Sequence, residues 1–226
     1  MTQDEIIIQG LSSRDGRRFE NGHNWFSDST RTGKLLAQYE IYKSVIGLPG
    51  DIFEFGVFKG ASLLRFAMFR RFLENDHSRK IVGFDAFGTF PRDEVADSDD
   101  IKFIDAFERM AGEGLSVSEM RALLVLRGFA NVDLIAGNVF DTLPTYLLAN
   151  PHARLALLHL DMDVAPPTEM VLQKLWDRVV PGGVVMVDDY NSVAGATQVI
   201  DAFITARGLR LEKHPFYYVP SFFRKP

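Results

Sequence analysis

The chain has 226 residues, of which 46% are hydrophobic, and it contains no cysteine. This composition suits a folded core and argues against disorder, and the lack of cysteine excludes disulfides, thiolate metal sites and thiol nucleophiles. Its 30 acidic residues outnumber 25 lysines and arginines, giving a formal charge of -5, so no overall basic field favours nucleic acid or an acidic membrane.

The first residues, "MTQDEIII", contain no cationic segment leading into an apolar stretch, which argues against a secretory signal. No apolar run approaches the roughly 20 residues needed to cross a bilayer. We therefore expect a soluble, cytoplasmic protein with neither a nucleic-acid nor a membrane partner.

The N-terminal part of the chain divides into an irregular stretch and a helix. Residues 10–32 mix glycine, arginine and isolated aromatic residues without periodicity, which is typical of an irregular arm or lid. We assign residues 1–32 to this arm and residues 33–226 to a single domain. Apolar residues at helical spacing predict a helix over 34–46, and the sequence "GLPG" ends it.

From residue 51 onward, short apolar runs alternate with helical patterns. The predicted helices cover 61–75, 167–179 and 196–208, and the predicted strands cover 51–57, 80–87, 131–140, 153–163 and 182–190. Strands that are apolar on both faces belong to parallel sheets covered by helices. The pattern therefore predicts an α/β fold, a doubly wound and mostly parallel sheet with helices on both faces.

The C-terminal third is expected to contain a further turn and a further strand. Pro181, Gly182 and Gly183 are expected to form the turn into the last of these strands. The tail from Leu209 is expected to add a strand at the sheet edge, because its prolines would disrupt a central position.

Acidic side chains stand at the ends of the predicted strands. They are Glu54 and Asp85, which close the first two, and Asp161, Asp163, Asp188 and Asp189, which follow the fourth and fifth. In open α/β sheets, ligands bind in the crevice beyond the carboxyl ends of the strands. We therefore expect these carboxylates to share one crevice.

The turn from Glu54 to Gly60 joins a strand to a helix. A carboxylate near an apolar run is costly unless something pairs with it, and glycines let backbone approach a ligand near a helix N-terminus. The spacing matches neither the P-loop nor the dinucleotide-binding pattern. A purely structural turn with Ser62 as its cap is the alternative, and Glu54 favours a ligand.

Asp85 follows one helix and one return strand after Glu54. A carboxylate at this position of a nucleotide-binding unit accepts hydrogen bonds from ribose hydroxyls, and the alternative is an exposed turn residue. Phe58 and Phe87 follow the same two strands and could flank a purine or belong to the core. Together, Glu54 and Asp85 predict a nucleoside site.

A cluster of aspartates is expected beyond the fourth and fifth strands. Carboxylates that converge repel one another unless a cation or protons intervene, and oxygen ligands favour a hard ion such as Mg²⁺. We predict that Asp161, Asp188 and Asp189 bind this metal, with solvent-facing turn acids as the alternative. His159, inside an apolar run, is expected to be a hydrogen-bonded core residue.

With these elements in place, the sequence resembles the class I S-adenosylmethionine-dependent methyltransferases, specifically the macrocin O-methyltransferase family. The stretches that carry the resemblance are "GDIFEFGVFKGAS", "GFDAFGTFP", "AGNVFDTLP", "LDMDVAPPT" and "PGGVVMVDDY". They occur in the family's order and, with the preceding helix, cover roughly residues 34–190.

The resemblance implies that Glu54 and Gly56 face the methionine part of the cofactor, Asp85 its ribose, and Gly137 with Asn138 its adenine. It also implies a magnesium ion on the three aspartates named above. The complete predicted cofactor site, which extends to neighbours in the same turns, is Glu54, Gly56, Val57, Phe58, Gly60, Ser62, Asp85, Ala86, Phe87, Gly137, Asn138 and Asp161.

The predicted reaction is methyl transfer from S-adenosylmethionine to a hydroxyl of a small-molecule acceptor. The implied acceptor is a deoxysugar, a nucleotide sugar or a glycosylated natural product, with Asp161 or Asp163 taking the hydroxyl proton. The alternatives are a small phenol or catechol acceptor, an NAD-linked oxidoreductase and a non-catalytic nucleoside-binding protein. The aromatic tail and the helix at 34–46 suggest a homo-oligomer.

Overall fold

The computed structural model describes residues 5–92, 95 and 97–226, and its main feature is a seven-stranded sheet. The strands are β1 (Ile7–Ile8), β2 (Leu11–Ser12), β3 (Asp51–Phe55), β4 (Ile81–Asp85), β5 (Val132–Ala136), β6 (Leu155–Leu160), β7 (Val179–Val187), β8 (Glu212–Lys213) and β9 (Ser221–Arg224). The α-helices are α1 (Gly16–Phe26), α2 (Ser29–Lys43), α3 (Ala61–Leu73), α4 (Ser98–Ala111), α5 (Val117–Leu126), α6 (Val139–Ala149), α7 (Ala165–Leu175) and α8 (Ala194–Arg207).

The order of strands across the large sheet is β5-β4-β3-β6-β7-β9-β8. The first five strands in this order are parallel, whereas β9 runs antiparallel to both of its neighbours. The doubly wound, mostly parallel fold predicted from the sequence is confirmed. Parallel β-α-β connections bring the carboxyl ends of these five strands to one edge.

Alternate residues of each strand feed two hydrophobic cores, one on each face of the sheet. Ile52 and its equivalents pack against α2, α3 and α5. Phe53 and its equivalents pack against α6, α7 and α8. Burial on both faces explains why the strands read as nearly continuous apolar runs in the sequence.

The N-terminal segment is more regular than the predicted arm. Residues 5–32 form the antiparallel pair β1–β2, a 3₁₀ turn at Ser13–Asp15, α1 and the start of α2. The helix expected to begin at residue 34 begins at Ser29, because the Asp28 side chain accepts a hydrogen bond from the Thr30 amide at 2.8 Å and caps it. Residues 1–4 of the predicted arm lie outside the described residues.

The helix α1 escaped the sequence analysis for a physical reason. It buries no residue, so its sequence does not need the apolar stripe by which a core-facing helix is recognised. It also contains Gly16 and Gly22, and glycine disfavours a helix. Within the residues described, no helix is both long enough and apolar enough to cross a bilayer.

The two C-terminal expectations differ in outcome: the expected turn at residues 181–183 is wrong, whereas the expected strand at the sheet edge is confirmed. Strand β7 starts at Val179 and continues through residues 181–183, where its register with β6 shifts. These residues therefore form an irregularity inside the strand, a place where proline is tolerated. The tail from Leu209 contributes two strands, of which β9 pairs with β7 and β8 forms the edge of the sheet, as expected.

Candidate functional site

A cavity of about 920 Å³ opens at the carboxyl edge of the sheet. Its walls come from the segments that follow β3, β4, β5, β6 and β7, together with residues of α2, α3 and α4. We call the part around residues 56–58 and 85–88 the turn end. The part formed by Asp161, Asp163, Asp188 and Asp189 is called the acidic end.

The turn end is organised by the Asp85 carboxylate at the last position of β4. Its Oδ2 accepts hydrogen bonds from the Val57 amide at 2.7 Å and the Phe58 amide at 2.9 Å. Its Oδ1 accepts one from the Phe87 amide at 2.6 Å. Since a carboxylate has about four lone-pair sites, Asp85 can hold this turn and still accept a bond from a ligand. Its role towards a ribose stays a prediction.

Gly56 is required where the turn passes the following strand. Its φ is +89°, and a Cβ built there would lie 1.7 Å from the Asp161 carbonyl oxygen. No side chain fits at that distance, and the backbone conformation itself favours glycine. The sequence therefore places glycine where the turn end and the acidic end touch through their backbones.

Most of the predicted cofactor residues line the cavity. They are Glu54, Gly56, Val57, Phe58, Ser62, Asp85, Ala86, Gly137, Asn138 and Asp161.

Gly60 and Phe87 are placed differently. Gly60 caps α3 in the left-handed conformation and faces Met120, and Phe87 packs against the hydrophobic core. Both support the turn from behind the cavity wall. The Phe58 ring lies 5.2 Å from the ring of Phe107 of α4, so this predicted purine neighbour already has an aromatic partner.

The four aspartates of the acidic end all line the cavity. Glu54, expected to close β3, is instead its second-last residue and reaches the cavity from within the strand. Ligand atoms of Asp161, Asp163 and Asp189 lie within 4.8 Å of one another, and so do those of His159, Asp161 and Asp188.

The predicted metal ligands are therefore distributed over two overlapping groups. Asp161 belongs to both groups, Asp189 to the all-carboxylate group and Asp188 to the group with His159. The all-carboxylate group offers the oxygen donors that a hard cation such as Mg²⁺ prefers. Its chemistry fits such an ion, and the predicted set of Asp161, Asp188 and Asp189 stays a prediction.

Burial and mutual repulsion destabilise the ionised forms of three carboxylates at the acidic end. Burial first, then the neighbouring Asp188, raises the pKa of Asp161 well above its usual value. Burial and Asp163 do the same for the pKa of Asp189, and burial and Asp161 raise the pKa of Asp163 to about 7. Like charges at this spacing need protons or a cation to coexist.

Asp188 is the exception, because two cationic side chains face it. The Lys34 Nζ lies 2.5 Å from Asp188 Oδ2 and 3.8 Å from Asp161 Oδ2. The His159 Nε2 lies 3.7 Å from Asp188 Oδ1. Burial opposes the charge of Asp188, but Lys34 and His159 outweigh it and lower the pKa of this carboxyl.

His159 is buried, as expected, but it lies between carboxylates. Its Nδ1 is 3.6 Å from Glu54 Oε1 on the side opposite Asp188. Burial favours the neutral ring, yet Asp188 and Glu54 prevail and raise the pKa of His159 to about 10. These distances describe ion pairs, and neither ring nitrogen of His159 has a hydrogen-bond partner in the part of the chain that the structure describes, so the expected hydrogen bonds of a core histidine are not found there.

Glu54 leaves one oxygen available. Its side chain is 1% exposed, and its Oε2 has no hydrogen-bond partner among the described residues. Burial raises the pKa of this carboxyl, although His159 and Lys34 act in the opposite direction. An unpaired buried carboxylate oxygen beside a cavity is a position for a ligand donor.

Lys34 is the residue of this site that the sequence analysis missed. It was recognised only as the start of a helix, and 154 positions separate it from its partner Asp188. No local signal in the sequence pairs the two. The sequence shows only a lysine beside the apolar positions of a predicted helix, which does not indicate that its side chain reaches the aspartates.

The comparisons with known proteins agree with this geometry. A family model described as macrocin-O-methyltransferase (TylF) matches residues 22–225. Demethyldecarbamoylnovobiocin O-methyltransferase from Streptomyces niveus is 33% identical over 218 residues, which are 89% of this chain and 79% of that protein. A solved structure of the calicheamicin methyltransferase CalS11 matches with a TM-score of 0.76 at 26% identity, covering 92% of this chain and 85% of that one.

A further relative matches over a shorter stretch. It is 8-demethyl-8-(2,3-dimethoxy-alpha-L-rhamnosyl)-tetracenomycin-C 4'-O-methyltransferase from Streptomyces olivaceus, 32% identical over 148 residues. The match covers 64% of this chain and 54% of that protein, so the chain aligns with about half of that relative's length.

Proposed function

Because the chain belongs to the macrocin O-methyltransferase family, we propose that it transfers a methyl group from S-adenosylmethionine to a sugar hydroxyl. The proposed acceptor is a nucleotide sugar or a glycosylated natural product. The observation that carries the proposal is the single cavity that joins the turn end to the acidic end. The names of the relatives support it, since one of them methylates a rhamnosyl tetracenomycin.

The size of the cavity supports a two-substrate reaction. Small-molecule sites usually measure about 300–1,000 Å³, and this one reaches about 920 Å³. An adenosyl group beside Gly56 would leave room for a sugar next to the aspartates. The orphaned Oε2 of Glu54 fits the ammonium of the amino-acid portion.

When bound, S-adenosylmethionine supplies an activated methyl group, and Mg²⁺ supplies positive charge beside the acceptor oxygens. We propose that Asp161, Asp188 and Asp189 hold this ion. All three line the cavity, and Asp161 has ligand atoms close to those of Asp188 in one group and to those of Asp189 in the other. The resident cation Lys34 then serves as the counter-ion of Asp188, which lets this buried carboxylate stay ionised.

The remaining work falls to the protein's own side chains. Alignment of an acceptor oxygen with the methyl group is the largest requirement, and the rigid turn end provides a fixed platform for it. We propose that Asp161 accepts the hydroxyl proton. It belongs to both groups of close ligand atoms, and its backbone carbonyl packs against Gly56 of the turn end.

The direct test is a methyl-transfer assay with nucleotide-activated rhamnose, a rhamnosylated natural product and catechol as acceptors. We expect S-adenosylmethionine-dependent addition of one methyl group to a sugar hydroxyl, detected by mass spectrometry, and its loss in the presence of a chelator. Methylation of catechol alone would contradict the sugar assignment. Full activity with chelator would contradict the metal assignment.

A ligand screen separates the classes of protein before an acceptor is known. A ligand that binds the folded chain raises its melting temperature by an amount that grows with the logarithm of ligand concentration over the dissociation constant. We expect stabilisation by S-adenosylmethionine and S-adenosylhomocysteine and none by NAD. Stabilisation by NAD alone would favour an oxidoreductase, and turnover with none of the acceptors would favour a non-catalytic nucleoside-binding protein.

A further inference from the structure

Arg65 is a charged side chain of the cavity that has no role in the reaction described above. Arg65 of α3 lines the cavity and is half-buried. Among the described residues, no carboxylate oxygen lies within the 4.0 Å of an ion pair with its guanidinium. A half-buried guanidinium without a counter-ion is costly unless a ligand supplies one.

The guanidinium is nevertheless held in place. Arg65 Nη1 donates a hydrogen bond to the Gln38 Oε1 at 3.0 Å. The other end of the same amide, Gln38 Nε2, donates to the Ser62 Oγ at 2.9 Å. Gln38 is fully buried, so this chain from α3 to α2 and back fixes the direction in which Arg65 points.

The surroundings of Arg65 identify the ligand group. Arg31 of α2 also lines the cavity and is close enough to repel Arg65, while Glu54 and Asp188 attract it without forming an ion pair. Two cationic side chains facing one space favour an anion between them. Glu54, which lines the same cavity and is close enough to attract Arg65, offers the unpaired oxygen described above.

These two unmatched groups have opposite charges. An α-amino acid head group presents an ammonium and a carboxylate on adjacent atoms, so it would satisfy Glu54 Oε2 and the Arg65 guanidinium together. Arginine suits a carboxylate because its planar fork can donate two parallel hydrogen bonds.

We infer that Arg65, oriented by Gln38 and Ser62, binds the carboxylate of the methionyl group of the cofactor. This assignment rests on the proposed function, since it requires an S-adenosyl amino acid in the cavity. It predicts that the carboxylate contributes strongly to affinity. It also assigns Gln38 as a positioning residue that acts through Arg65.

Titration calorimetry with two ligands tests the inference. The ligands are S-adenosylhomocysteine and its decarboxylated analogue, which keeps the ammonium and lacks only the carboxylate. The wild-type chain should bind the first at least roughly tenfold more tightly, as expected for a charge-assisted contact. In Arg65→Met the affinity for S-adenosylhomocysteine should fall by a similar factor, and that for the analogue should stay within about twofold.

Control variants separate this role from a structural one. Arg121→Met removes an exposed arginine of α5 outside the cavity and should change neither affinity. Arg65→Lys keeps the charge but not the fork, and it should retain part of the discrimination. Gln38→Leu should weaken binding of S-adenosylhomocysteine more than binding of the analogue.

The outcomes are distinguishable. If the wild-type chain binds neither ligand, the proposed function fails. If it binds both equally, or if Arg65→Met weakens both by the same factor, the carboxylate assignment is overturned while the proposed function stands. If Arg65→Met does not fold, the wild-type preference and Arg65→Lys decide. A loss of thymidine diphosphate binding in Arg65→Met, with S-adenosylhomocysteine binding unchanged, would assign Arg65 to an acceptor phosphate and overturn the inference.

Discussion

Both ends of the cavity contain carboxylates, but the groups that surround these carboxylates differ. At the turn end, the Asp85 carboxylate accepts hydrogen bonds from three backbone amides, which fix the conformation of the turn. At the acidic end, four aspartates crowd together, and burial and repulsion raise the pKa of three of them.

The difference separates positioning from chemistry. Three hydrogen bonds from backbone amides to the Asp85 carboxylate fix the turn before any ligand arrives. The acidic end is costly in the absence of a ligand, and a bound cation or proton would relieve that cost. Functional sites commonly combine a rigid frame with destabilised charges in this way.

The largest effect is expected at the contact between the two ends. In Gly56→Ala the new Cβ would meet the Asp161 carbonyl at 1.7 Å, so the backbone must move. We expect a loss of more than about 4 kcal/mol in the free energy of unfolding, or failure to fold. Gly88→Ala is the matched control, because that cavity residue has open space around its Cβ position. Denaturant titration measures both, and equal stability of the two variants would contradict the prediction.

The second effect concerns Asp161 and should change activity and stability in opposite directions. Asp161→Asn removes the proposed base, and we expect kcat to fall by about 10²–10⁴-fold. Because the ionised carboxylate is destabilised in the fold, the same variant should melt at a higher temperature than wild type. Asp163→Asn should have the smaller effect on kcat.

The exposed residue Asp177 provides the control for this pair. Asp177→Asn should alter stability by no more than about 0.5 kcal/mol and leave kcat unchanged. Should Asp163→Asn lower kcat more than Asp161→Asn, the proton acceptor would be Asp163.

The third effect is a loss of order at the turn end. Asp85→Asn keeps one accepting oxygen but replaces the other with an amide that cannot accept the Val57 and Phe58 hydrogen bonds. We expect a loss of about 1.5–3 kcal/mol in the free energy of unfolding and weaker binding of S-adenosylhomocysteine. Asp133→Asn breaks a partly exposed pair with Lys80 and should cost less than about 1 kcal/mol. A tie between the two variants would show that Asp85 does not organise the turn.

The fourth and smallest effect is a dependence of stability on pH at the acidic end. The pKa of Asp163 is raised to about 7 in the folded chain, so the folded state holds a proton that the unfolded state releases at lower pH. Its contribution to stability is full below the unfolded pKa and is lost as pH rises through about 7.

With chelator present, we expect a loss of roughly 1 kcal/mol between about pH 6 and 7 from this group. Asp163→Asn should remove this part of the slope, and Mg²⁺ should reduce it by replacing the proton. Melting curves over pH measure it. A slope that is the same in wild type and Asp163→Asn would show that another group titrates.

Much of the fold followed from the residues because strand patterns are local. The apolar run of β6 and the aspartate immediately after it needed no tertiary information to be recognised. The same holds for Gly56, whose place after a buried strand indicated a close backbone approach. Helix α1 escaped prediction because it packs nothing into the core. The tail was expected to add one strand and adds two, β9 and β8, because the pairing of a strand depends on distant residues.

Local patterns were enough to predict that buried strands end in acidic side chains at one edge of a parallel sheet, since side-chain periodicity and strand direction are properties of short segments. The group that each carboxylate faces was visible only in the folded chain. Asp85 accepts hydrogen bonds from backbone amides, Asp188 pairs with a lysine 154 positions away, and Asp189 lies beside other aspartates. The physical reason is that Coulomb interactions depend on distance in space, which chain position does not specify.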